Sequence, residues 1–241
     1  MRLDQFLVLQ GYYSTRSKAS AAIKEKRVKI NGKTITKAGA EVDENCSVEI
    51  IRPERTFVSR GGYKLQGAID QFEIDLSGKT VLDIGASTGG FTDCALQSGA
   101  AKVYAYDVGT DQLDISLRND PRVISKENVN CRFLKKEDFS DEIDFICMDV
   151  SFISCTKMME AISDILSKGK TAVILFKPQF EVGRENLNRS GIVINQNAVD
   201  QKLDECILLA EKLDLQLTGK TLSAIKGTDG NQEYLLYFEK K

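Results

Sequence analysis

The 241 residues include no histidine. Ser-His-Asp and Cys-His catalysis, and most zinc catalysis, are therefore excluded. Any proton transfer must use Lys, Asp, Glu, Tyr or Cys. Three such groups occupy one kind of position. Asp107, Asp149 and Lys177 each close a short apolar run that reads as a buried strand: KVYAYD, IDFICMD and TAVILFK. Lys64 lies in a helix-like segment ahead of them, and Glu233 opens the last strand-like run. In an open α/β sheet, ligands collect at the carboxyl ends of the strands, so these residues belong to one cleft. Lys177 and Asp149, on adjacent strands, suit activation of a weakly acidic hydroxyl. A lysine acts as a base only if desolvation or a nearby cation such as Lys64 lowers its pKa. Asp149 and Glu233 would hold the two ammonium groups. The residues leave open whether Lys177 removes the proton or only steers the hydroxyl.

What the cleft holds follows from TVLDIGASTGGFT, Thr80 to Thr92. Val81, Leu82 and Ile84 form an apolar strand, and Gly85, Gly89 and Gly90 open a turn into a helix that begins near Phe91. Such a turn lets a ligand approach backbone N–H groups closely. A dinucleotide fingerprint would read G-x-G-x-x-G; here the glycines read G-x-x-x-G-G, and Asp83 precedes the first by two residues. An acid there repels a pyrophosphate but accepts a hydrogen bond from a cationic amino-acid tail. About seventeen residues after Gly90, Asp107 suits a ribose diol. These features point to S-adenosylmethionine. The expected cofactor set is Asp83, Gly85, Ala86, Ser87, Gly89, Gly90, Phe91, Thr92, Asp107, Val108, Asn128 (in the loop beside the adenine) and Asp149.

The elements that must position these groups alternate. Helices are predicted at Tyr63–Gln71, Cys155–Leu166 and Val199–Leu213. Strands are predicted at Thr80–Ile84, Lys102–Asp107, Arg122–Ser125, Ile143–Asp149 and Thr171–Phe176, with Thr221–Lys226 and Glu233–Glu239 as an antiparallel edge pair. That order predicts a mainly parallel sheet. Length suits one large domain or one medium plus one small domain, and 42% apolar with 28% charged residues is ordinary for a globular chain. No apolar run reaches the ~20 residues that span a bilayer, and the N-terminus lacks the features of a signal peptide. The six scattered cysteines, with no C-x-x-C pair, read as reduced thiols and not as a disulfide or zinc framework.

Charge is uneven. Residues 1–37 carry nine basic against two acidic residues, +7 within a net −2. A basic segment on an acidic body suggests that the segment meets a polyanion. The segment reads as two short helices, Arg2–Gln10 and Arg16–Lys26, the second capped by Ser14 or Thr15. An Asn31-Gly32 hairpin follows, then short strands at Thr34-Ile35 and Ser47–Ile50. Arg2-Leu3-Asp4, Leu7, Gly11, Thr15-Arg16, Ala19, Ile23, Val28, Ile30-Asn31-Gly32, Lys37 and Gly39 make it resemble the S-four-like RNA-binding domain, with Thr15 where that family usually has Ser. The resemblance implies a small α+β module that docks on structured RNA through phosphate contacts. Arg2, Arg16, Lys18, Lys24, Lys26, Arg27 and Lys33 are its candidates. Arg60 and, in the long loop of residues 181–191, Arg184 and Arg189 are expected to join them.

The contexts SRGGYKL, MDVSF, FKPQFEVG and GNQEYLL place Lys64, Asp149, Lys177 and Glu233 where FtsJ-like ribose 2′-O-methyltransferases carry a K-D-K-E tetrad. D-x-G-x-x-x-G-G-F-T is similar to the first motif of class I methyltransferases. Together with the N-terminal module, the order resembles the TlyA family of rRNA 2′-O-methyltransferases. Phe57 stands where that family has Trp in an R-x-W-V join. The resemblance implies an S-four-like domain at 1–54, a linker at 55–58, and a class I Rossmann-like methyltransferase domain at 59–241 with a mainly parallel seven-stranded sheet. It implies S-adenosylmethionine-dependent methylation of a cytidine ribose in large-subunit rRNA, with small-subunit rRNA a further possibility, inside an assembled subunit. Family members also set sensitivity to capreomycin-like peptide antibiotics. A cytoplasmic monomer with no metal and no membrane partner is expected. Three other readings stay open: a non-catalytic RNA-binding assembly factor, against which the intact tetrad argues; a pore-forming haemolysin, disfavoured by the absence of membrane-length segments; and a small-molecule methyltransferase, which would leave the basic N-terminal module unexplained.

Overall fold

Leu3, Phe6 and Leu7 recur at helical spacing, and all three are buried in α1 (Leu3–Leu9). They meet Ala19, Ala22 and Ile23 of α2 (Arg16–Lys24), which Thr15 caps by accepting from the Lys18 N–H. Val28 and Ile30 of β1 (Val28–Ile30) close this core. Asn31 and Gly32 both take positive φ, as a two-residue hairpin requires. They join β1 to β2 (Lys33–Thr34), while β3 (Val48–Ile50) pairs on the other side, giving an antiparallel sheet β2-β1-β3. This is the first of two compact units, Met1–Thr56 and Phe57–Lys241, in a computed structural model that describes residues 1–13, 15–43, 46–51 and 56–241. The alternative cap Ser14 and the Arg55 boundary lie outside the described residues.

In the second unit, period-two alternation splits each central strand between two cores. The helices are α3 (Gly61–Phe72), α4 (Gly90–Gln97), α5 (Ile115–Arg118), α6 (Met159–Ile165) and α7 (Gln196–Lys212). The strands are β4 (Thr80–Ile84), β5 (Lys102–Tyr106), β6 (Val123–Lys126), β7 (Phe145–Met148), β8 (Thr171–Phe176), β9 (Leu215–Leu222) and β10 (Tyr234–Lys240). Leu82, Tyr104, Ile146, Ile174 and Leu236 face α6 and α7, whereas Val81, Val103, Phe145, Val173 and Leu235 face α3 and α4. Each fully buried Leu, Ile or Phe contributes roughly 1.5–3 kcal/mol, so a strand apolar on both faces cannot sit at an exposed edge. The order is β6-β5-β4-β7-β8-β10-β9. The first five strands are parallel, and β10 and β9 are antiparallel.

Two sequence expectations shift. The strand expected at Thr221–Lys226 lies earlier, at Leu215–Leu222, because Asp214 (φ 57°) ends the α7 run and Leu215 is already buried. It still forms with β10 the expected antiparallel pair at the sheet edge, β9 outermost. Phe57 and Val58, expected in the linker, pack in the second unit. The Phe57 ring meets Tyr63 edge-on at 5.0 Å, and the Val58 N–H donates to Asp93 Oδ2 at 2.8 Å.

Candidate active site

Lys64 comes from the first turn of α3, Asp149 from just beyond β7, Lys177 from just beyond β8, and Glu233 from just before β10. The fold brings them into one alternating chain of charge. Lys64 Nζ lies 2.6 Å from Glu233 Oε2 and 3.7 Å from Asp149 Oδ2, and Asp149 Oδ1 lies 2.5 Å from Lys177 Nζ. Glu233 is 1% exposed, Lys64 6% and Lys177 8%, so solvent screens these pairs little. Two cations balance two carboxylates, which is the condition for burying charge at acceptable cost. Lys177 also donates to Ser151 Oγ at 2.8 Å.

Two cavities meet at this chain. One, of about 280 Å³, is lined by Lys64, Asp149, Ser151 and Lys177 together with Ser59, Arg60, Ala86, Phe91 and Thr228. The other, of about 450 Å³, runs past Asp107, Val108, Val129, Asn130, Cys131, Ile153 and Met158. Gly85, Ser87, Asp149 and Ser151 line both. Gly85 (φ 82°) makes the junction possible, since a Cβ there would approach the Asp149 carbonyl oxygen to 2.6 Å. Gly90 lets α3 and α4 touch, because a Cβ would fall 2.8 Å from the Gly62 nitrogen. Asp107 accepts the Ser87 N–H at 2.8 Å and the Gly109 N–H at 2.7 Å. Each of its oxygens keeps a further lone pair for a ligand.

Asp83 lies behind the cavity wall, on neither lining. It is fully buried, accepts the Thr92 hydroxyl at 2.6 Å, and leaves Oδ1 without a partner. Burial is the main cause that raises its pKa to about 7, with the nearby Asp149 and Asp107 charges adding to the rise. Its side chain points at α4 because strand alternation turns it away from the ligand face. Asn128 likewise lies off the lining: its Oδ1 accepts the Thr110 hydroxyl at 3.0 Å, and its neighbours Val129 and Asn130 form the wall. Burial pushes the Cys131 thiol up to about 12, so it stays protonated and is no nucleophile.

In the first unit, Asp4 accepts from Arg2 and from Arg16, the latter at 2.9 Å, and these guanidinium groups hold its carboxyl down at about 2. Both arginines stay more than half exposed and fixed in direction. Lys18, Lys24, Lys26 and Lys33 are exposed, while Arg27 is paired with Glu25 at 2.6 Å. Arg60 lines the smaller cavity and donates to the Lys226 carbonyl, which ties α3 to the β9–β10 connection. Arg184 and Arg189 line a separate hollow with Leu187, Asn188 and Gly191.

Ser59, Ser151, Phe152, Cys131 and Thr228 have no signal in residue type alone. Phe152 is the extreme case. It is 91% exposed, holds φ 62°, lines the larger cavity and packs on Phe180, whose ring lies 5.9 Å from Lys177 Nζ. A bulky residue rarely holds positive φ without a local constraint. Among the described residues there is no cluster of metal-binding side chains, and no helix is long and apolar enough to cross a membrane.

Residues 57–240 match the FtsJ-like methyltransferase family, and residues 1–45 match the S4 domain. Hemolysin A of Brachyspira hyodysenteriae is 42% identical over 99% of this chain and 99% of its own. The 16S/23S rRNA (cytidine-2'-O)-methyltransferase TlyA of Mycobacterium tuberculosis is 38% identical over 98% of this chain and 88% of its own. The 23S rRNA (cytidine-2'-O)-methyltransferase TlyA of Campylobacter jejuni is 34% identical over the whole of both. With the tetrad assembled at the junction of two cavities, the chain belongs to the FtsJ-like methyltransferases, in the TlyA group that carries an N-terminal S4 domain.

Proposed function

We propose that this protein transfers a methyl group from S-adenosylmethionine to the 2′-oxygen of a cytidine ribose in ribosomal RNA within an assembled subunit. Large-subunit RNA is the first candidate, since the names of both TlyA relatives include 23S. The observation that carries the reading is the alternating series Glu233, Lys64, Asp149, Lys177, buried except for the half-buried Asp149, which ends where the two cavities join. The larger cavity fits the cofactor. Val108, Val129, Ile153 and Met158 offer an apolar slot for an adenine, and Asp107 faces a diol. When bound there, S-adenosylmethionine supplies an electrophilic methyl on a sulfonium sulfur.

The chain's own residues do the rest. Lys177, once its ammonium has released a proton to solvent, meets the 2′-hydroxyl, and as the O–CH₃ bond forms the hydroxyl proton passes to the Nζ lone pair. On transfer the S–CH₃ bonding pair would remain with the departing thioether sulfur. Asp149 stabilises the lysine cation that results. Lys64, held by Glu233, keeps Asp149 from turning to other donors. Proton transfer of this kind contributes typically ~10²–10⁴-fold. The exposed Phe152 offers a stacking face for an unpaired base, the usual way single-stranded RNA is read.

The competing reading, a non-catalytic assembly factor, makes the opposite prediction for one variant. Lys177→Ala should lose transfer by at least ~100-fold while S-adenosylmethionine and RNA affinities stay within about twofold. Retained transfer would overturn the mechanism. An unlabelled product from wild-type protein with RNA still bound would favour the assembly factor. In a strain lacking the protein, a changed sensitivity to capreomycin-like peptides is expected, restored by wild type and not by Lys177→Ala.

A further inference from the structure

We infer that Ser151 is a positioning residue for Lys177, fixing which direction of its amine faces the methyl acceptor. The inference deepens the proposed function and rests on it. Lys177 Nζ has two partners, Asp149 Oδ1 at 2.5 Å and Ser151 Oγ at 2.8 Å. After the ammonium has lost one proton, the Lys177 amine in its base form carries two hydrogens and one lone pair. With both hydrogens given to Asp149 and Ser151, the lone pair is confined to the third staggered direction. Without Ser151, one hydrogen bond to Asp149 leaves the lone pair two directions to choose between, and in one of them the base faces away from the ribose.

The placement of Ser151 supports the role. It lines both cavities, so it stands where cofactor and acceptor would meet. Its loop is held at both ends. The Asp149 N–H donates to the Ile84 carbonyl at 3.0 Å, and Glu181 accepts from the Ser154 hydroxyl at 2.5 Å and from the Cys155 N–H at 2.7 Å. Between these anchors Phe152 holds positive φ, a constrained backbone and not a free loop. A hydroxyl on so fixed a backbone can orient a partner to the tolerance that catalysis needs. Ser151 is itself exposed, so its replacement leaves the folded core untouched.

The test is single-turnover methyl transfer by wild type, Ser151→Ala and Ser151→Thr, with S-adenosylmethionine and RNA affinities measured in parallel. Ser151→Ala should slow transfer roughly 5- to 10-fold, the effect of losing one hydrogen bond, with both affinities unchanged. Ser151→Thr keeps the hydroxyl and should return the rate to within about twofold of wild type. A wild-type rate in Ser151→Ala, a loss that sits wholly in affinity, or a Thr variant no better than Ala would overturn the inference. If wild type itself transfers no methyl to ribose, the parent reading falls and takes the inference with it. If wild type transfers and Ser151→Ala transfers equally, only the inference falls.

Discussion

Asp83 has the most perturbed carboxyl among the residues around the site. Its folded pKa, about 7, lies above the ordinary value near 3.9. The folded state therefore holds a proton that the unfolded chain releases. The resulting stability is complete below about pH 4 and is lost as pH rises towards 7, by up to roughly 4 kcal/mol. Asp83→Asn cannot ionise, so Tm of the ligand-free variant should fall less than wild type between pH 4 and 7. Parallel curves would show that Asp83 stays ionised in the fold. At this scale the sequence was most legible where a residue type has few alternatives. With no histidine, buried lysines beside strand-end carboxylates had little else to do, and Lys64, Asp149, Lys177 and Glu233 meet. It was least legible where direction decides. Nothing in D-x-G tells that Asp83 turns towards Thr92, or that Ser151, two residues past Asp149, turns back towards Lys177.

At the scale of elements, close approach positions the site. Gly90→Ala would gain about 1 kcal/mol of helix propensity. Against this, the new Cβ would fall 2.3 Å from Ser59 Oγ and 2.8 Å from the Gly62 nitrogen. Overpacking against backbone costs about 1–3 kcal/mol, so the clash wins. The variant should show a lower Tm and a loss of transfer larger than its loss of stability, because α3 carries Lys64. A Tm above wild type would contradict the packing. Asn231 ties a second pair of elements. Only 3% exposed, it donates to the Gly191 carbonyl and accepts the Val193 N–H, both at 2.9 Å. Its own carbonyl takes the Gly227 N–H at 2.9 Å, and Gly227 packs against Glu233 Oε1. Asn231→Ala leaves two half-buried backbone groups without their partner, at about 1 kcal/mol; Tm and kcat should both fall. The strands were legible because alternation marks two cores. β9 starts several residues ahead of its expected place because a left-handed residue, Asp214, ends α7 without a glycine to announce it.

For the whole molecule, the +7 of residues 1–37 predicts how binding responds to salt. Asp4 holds Arg2 and Arg16 in place while leaving both exposed. Arg16→Glu should weaken RNA binding and lower the slope of log affinity against log salt by about 1 for each phosphate that the side chain no longer neutralises. An unchanged slope would move the phosphate site elsewhere. Composition made the charge asymmetry legible, yet it did not tell which cations are free: Arg27 is paired to Glu25.

Methyl transfer to a ribose of rRNA is tested most directly by incubating the protein with methyl-labelled S-adenosylmethionine and separated ribosomal subunits, then mapping the label after alkaline hydrolysis. Label at one large-subunit cytidine, in a dinucleotide that resists alkali because its 2′-oxygen is blocked, is the predicted result. Label released in alkali-sensitive mononucleotides would place the methyl on a base and contradict the roles given to Lys177 and Asp149.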